Sequence, residues 1–113
     1  MTAKARLAAL AARIEADPSA LAAARPDGDA LAASVGGEPG LRWHVAVLRA
    51  VMSAPPDGDA VRELYGELVD RYRELPELLL RVRALGDEIR QREADGTLPR
   101  ALVLRSERRP RRR

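Results

Sequence analysis

Between Val61 and Ile89 apolar residues recur at helical spacing, with one interruption. Val61, Tyr65, Leu68, Tyr72 and Leu75 are separated by four, three, four and three residues, and Leu78, Val82, Leu85 and Ile89 by four, three and four. A stripe with that period faces one way only on an α-helix, so the segment must bury one side against other helices. The two registers do not join smoothly, because Leu75 to Leu78 repeats a spacing of three, and Pro76 sits at the mismatch. Proline lacks the N–H that a helix interior requires but fits a first turn, which predicts two helices or one kinked helix over 59–94, meeting at Leu75-Pro76. Glu67–Arg71, Glu77–Arg81 and Glu88–Arg92 are acid-before-base pairs four apart, as on a solvated helix face. Asp95-Gly96 supplies the stop.

The rest of the chain continues the helical pattern. Leu7, Leu10 and Ile14, widened by Ala8, Ala11 and Ala12, predict a first helix over 2–16 that ends where Asp17 is driven out of the helical region by Pro18. A short helix over 19–24 would follow. Pro-Asp-Gly-Asp-Ala then occurs twice, at 26–30 and 56–60. Each copy reads as a turn whose second Asp caps the next helix, Asp29 for one through Val35 and Asp59 for a longer one. The match is poor outside these residues, so one turn solution used twice is the simpler reading than a duplicated unit. A further helix over 39–53 carries Leu41, Val45, Leu48 and Met52 and is stopped by Pro55-Pro56. The apolar content is mostly Ala and Leu, with no Phe, one Trp and two Tyr. This suits close helix packing. The expected fold is an all-α bundle of four to five helices over 1–96, followed by an extended basic tail over 97–113. Few large side chains are available to stabilise a monomer, so homo-oligomerisation is expected through Val61, Tyr65, Leu68, Tyr72, Leu75, Leu78, Val82, Leu85 and Ile89.

Charge is laid out unevenly. Seven Arg and one Glu fall between Arg100 and Arg113, a net +6, so the overall +3 leaves −3 on the preceding residues. Arg100, Arg105, Arg108, Arg109, Arg111, Arg112 and Arg113 form a block in which guanidinium groups pair with phosphates bidentately. Such contacts give sequence-independent affinity that falls with salt. Polybasic ends also bind acidic proteins, or serve only as solubilising tails.

A second nucleic-acid signal lies within 29–53. A short helix, a Gly36-Gly37 turn and a helix bearing Arg42, Trp43, His44 and Arg49 together resemble a helix-turn-helix, in which the second helix offers a polar face to the major groove. The plain alternative is a pair of bundle helices joined by a glycine-rich turn.

Chemistry is sparse. There is no Cys and one His. Neither a thiolate site nor a set of His ligands can be assembled, and no nucleophile–base pair has supporting context. No catalytic residue, metal, cofactor or small-molecule substrate is expected. Glu63, Glu67, Asp70 and Glu74 share a face but are interleaved with Arg71 and Arg73. Arg13 and Glu15 interrupt the apolar run of the first segment, which argues against a signal peptide. No run approaches the ~18 apolar residues of a membrane span. A cytoplasmic, non-enzymatic nucleic-acid-binding protein is the first expectation. The second is a helical adaptor or scaffold that pairs through 61–89 and anchors its tail to an acidic protein.

Overall fold

The computed structural model describes residues 2–53 and 57–98. Five α-helices follow one another: α1 Ala3–Ala16, α2 Leu21–Val35, α3 Gly37–Ser53, α4 Gly58–Arg71 and α5 Pro76–Asp95. A single 3₁₀ turn, Pro18–Ala20, joins α1 to α2. Local chemistry sets most of the ends. The Thr2 hydroxyl accepts the Ala5 N–H at 3.0 Å, and the Asp57 carboxylate accepts that of Ala60 at 3.1 Å. Each satisfies an amide that the first helical turn leaves without a partner. Pro76 opens α5, and Gly96 ends it in the left-handed conformation at φ 80°. That geometry turns Thr97 and Leu98 back, so that both amides reach the Arg92 carbonyl, at 3.0 and 3.2 Å.

α3 is the hub. Its Trp43, Ala46 and Val47 pack with Leu7, Ala11 and Ile14 of α1 and with Ala24 and Ala32 of α2. Its Leu41, Leu48 and Met52 pack with Val61, Leu68, Tyr72, Val82, Leu85, Ile89 and Leu98. One helix therefore supplies side chains to two apolar clusters, and all four others lie around it. The pairing of residues gives their directions. Trp43 lies on Gly28, and Gly40 lies near the Ala32 carbonyl, so α2 runs antiparallel to α3. His44 meets Tyr72 at the end of α4. Glu38 meets Arg81, and Arg49 meets Glu88, so α5 runs parallel to α3. Arg62 pairs with Glu93 while Tyr65 lies over Gly86, which makes α4 and α5 an antiparallel hairpin.

The first Pro-Asp-Gly-Asp segment is not a turn. α2 runs unbroken through Pro26, Asp27 and Gly28, so the expected short helix over 19–24 and the restart at Asp29 are replaced by one helix of 15 residues. Interior proline costs roughly 3 kcal/mol. Burying a large aromatic ring recovers about 4–6 kcal/mol at the usual area coefficient. Here the ring is Trp43, fully buried and seated on the backbone of Gly28, where a Cβ would lie 2.0 Å from the indole Cζ2. The indole N–H donates to Asp29 Oδ1 at 2.9 Å. The second copy behaves differently again. Asp57, not the expected Asp59, caps α4, and Asp59 sits in the first turn beside Arg62 at 3.3 Å.

Candidate nucleic-acid interface

The four side chains expected on a recognition helix are all on α3, and the fold gives each another use. Trp43 is completely enclosed, so it stacks on no ligand and is a core residue. Arg42 is exposed but held in a fork by Glu15 of α1, Nη2 to Oε1 at 2.7 Å and Nε to Oε2 at 3.1 Å. That bidentate contact lowers the Glu15 pKa and raises that of Arg42. Arg49 reaches across to α5, with Nη2 3.2 Å from Glu88 Oε1. His44 is half-buried and edge-on to Tyr72, the rings 6.0 Å apart. Burial, with Arg71 nearby, pushes its pKa down to about 4, so the imidazole is neutral near pH 7 and offers phosphate no charge. α3 is ringed by other helices, and its exposed arginines are already paired. The buried side of 29–53 is a bundle seam, Arg42 and Arg49 lie on its exposed side, and the glycine-rich turn is the tight joint between α2 and α3. Gly36 and Gly37 both have positive φ there, 65° and 59°.

The expected partner stripe is also consumed internally. Val61, Leu68, Tyr72, Val82, Leu85 and Ile89 are buried in the cluster shared with α3. Tyr65 and Leu78 are partly buried against the same cluster. Only Leu75 of the nine stands out, 46% exposed. The physical reason is economy of apolar surface: α3 carries large side chains on two sides, so α4 and α5 find their partner within the chain.

Arg100, Arg105, Arg108, Arg109, Arg111, Arg112 and Arg113 lie outside the described residues. So do Ala101 to Leu104. Leu98, which the sequence assigns to the tail, is 1% exposed and closes the lower core, so it belongs to the bundle. Its signal was the Gly96 stop, since a left-handed cap commonly folds an apolar residue back onto the last turn.

Two concave regions gather polar side chains from different helices. A groove of about 360 Å³ is lined by Lys4, Ala8, Glu38, Pro39, Arg42 and Arg81. A smaller cleft of about 140 Å³ between α2, α3 and α4 contains Arg25, Asp29, His44, Glu67 and Arg71. In the cleft two cations, Arg25 and Arg71, accompany two carboxylates, Asp29 and Glu67. No group of three or more His, Asp or Glu placed to hold a metal ion occurs among the described residues. No described helix is long and apolar enough to cross a membrane. No protein-family model, curated protein or solved structure matches the chain.

The electrostatic pattern is what remains. Four ion pairs link different helices: Glu15–Arg42 joins α1 to α3, Glu38–Arg81 and Arg49–Glu88 join α3 to α5, and Arg62–Glu93 joins α4 to α5. Arg25–Asp29, Arg62–Asp59, Arg90–Asp87 and Arg92–Glu88 lie within single helices, and Arg73–Asp70 ties the turn after α4 to its last residues. Each exposed pair contributes little to stability. Together they occupy most of the bundle's cations.

Proposed function

We propose that the protein is a non-enzymatic nucleic-acid-binding protein in which a self-neutralised helical bundle carries a cationic C-terminal arm. One observation carries the reading: positive charge is concentrated in residues 100–113, net +6, while the preceding residues sum to −3 and pair most of their arginines with their own carboxylates. A phosphate backbone recruits guanidinium groups wherever they are free, and releases its condensed counterions in proportion to the contacts made. The block contains no aromatic side chain to stack on bases, which favours backbone contact without sequence preference.

The arm, not α3, is then the binding element. An electrophoretic shift assay at low salt tests this. Full-length protein retards duplex DNA or RNA, and a chain ending at Pro99 does not. Arg42→Ala and Arg49→Ala, whose side chains face Glu15 and Glu88, change affinity less than about twofold, since each guanidinium's field is offset by the carboxylate beside it. Absence of any shift by the full chain, or an undiminished shift by the truncated one, ends the proposal.

A further inference from the structure

The outer face of α5 carries an apolar residue for which the fold has no use. Leu80 is 70% exposed, whereas Val82, Leu85 and Ile89 of the same helix are buried. Its position follows from the spacing. Leu78, Val82, Leu85 and Ile89 define the side turned to α3, and Leu80 falls about 200° from Val82 at 100° per residue. Its neighbours on that outer side are Pro76 and Glu77 one turn before, and Arg83 and Ala84 one turn after. All four are exposed. Pro76 and Glu77 also form the rim of an apolar hollow of about 400 Å³ with Leu75 and Leu78.

The charges that flank Leu80 are complementary to themselves. Neither Glu77 nor Arg83 has an ion-pair partner among the described residues, whereas Arg73, Arg81 and Arg90 nearby are all paired. Two copies of α5 laid antiparallel about a two-fold axis at Leu80 bring residue i opposite residue 160 − i. Leu80 then meets the partner's Leu80. Glu77 lies opposite the partner's Arg83, and Arg83 opposite the partner's Glu77. Pro76 lies opposite the partner's Ala84, a side chain small enough to bring the two helices close at the edge of the hollow. A two-fold contact uses one patch twice, so a single complementary pair supplies two ion pairs.

We infer that this face of α5 is a homodimer interface centred on Leu80, with a second copy of the chain as its occupant. It is not the stripe of residues 61–89 that faces the core. It lies on the opposite side of the same helix. Leu80 provides the apolar contact, and Glu77 with Arg83 sets orientation and register. A contact of this size belongs to the weak class, with dissociation in the range of roughly tens of micromolar.

Sedimentation equilibrium of the full chain without nucleic acid, over about 10–300 µM, reads this directly. Wild type moves from monomer to dimer across the range, and Leu80→Glu stays monomeric. Glu77→Arg and Arg83→Glu, made singly, each place like charges opposite one another and weaken association at least several-fold. The two together restore it. All three positions are exposed, so circular dichroism of the variants matches wild type. A wild type that is monomeric throughout, a dimer untouched by Leu80→Glu, or a double charge reversal that fails to restore association would each overturn the inference.

Discussion

A methyl group has no place at Gly28. Its Cβ would stand 2.0 to 2.4 Å from three atoms of the Trp43 indole, and the ring cannot withdraw because its N–H is tied to Asp29. Gly28→Ala is therefore expected to destabilise the bundle by about 2–3 kcal/mol, as overpacking does in other rigid cores. Because Trp43 is the sole tryptophan, its fluorescence reports both the loss of stability in urea and the shift of the ring. His44 makes a different kind of prediction. Its pKa is depressed to about 4 from 6.5, chiefly by burial, with Arg71 and Arg25 opposing protonation and Asp29 favouring it. The native state thus holds fewer protons than the unfolded chain between those values. Stability from this group is complete above pH 6.5 and is lost as pH falls toward 4, by at most about 3 kcal/mol. Urea unfolding of wild type and His44→Gln at pH 7 and 4.5 checks this. The wild type loses more on acidification than the variant, and an equal loss would rule the effect out.

The hairpin of α4 and α5 was readable from the chain itself, down to the break at Leu75-Pro76, because spacing and proline chemistry are local. α1, with its Asp17-Pro18 stop, was readable for the same reason. What the stripe would pack against was not readable, since Leu41, Leu48 and Met52 of α3 decide that from a distance in sequence. α2 shows the opposite failure. Pro26-Asp27-Gly28 has every local mark of a turn, yet a tryptophan 15 residues beyond Gly28 converts the segment to helix by burying its ring there. The same contact accounts for the misreading of Trp43 as a ligand-facing side chain. Pairings such as Arg42 with Glu15 also join residues far apart in the chain, so the exposed arginines of α3 looked free. The account of α2 is testable. With Pro26 in a helix interior and exposed, Pro26→Ala restores an amide donor to the Ala22 carbonyl and raises stability by about 1–3 kcal/mol. A turn at that position would give no gain, and the change in melting temperature distinguishes the two.

Taken together, the molecule divides its labour along the chain. The bundle pairs most of its arginines with its own carboxylates and buries most of its apolar stripes, leaving Leu80 on the outer face of α5 and a block of seven arginines beyond residue 99. If α5 joins two copies, each particle carries two arms, and avidity for a long polyanion rises without any new kind of contact. Under the proposed function the arms alone set the chemistry of binding. The decisive measurement is the salt dependence of affinity for a fluorescent DNA duplex, followed by anisotropy. With seven arginines available per chain, the slope of log K against log salt is expected to reach about −5 to −6 per arm engaged. Replacing those seven by Gln flattens it toward zero, and Arg42→Ala with Arg49→Ala leaves it unchanged. A steep slope that survives removal of the seven arginines, or one that collapses with Arg42 and Arg49, would place the binding surface on the bundle and contradict the account.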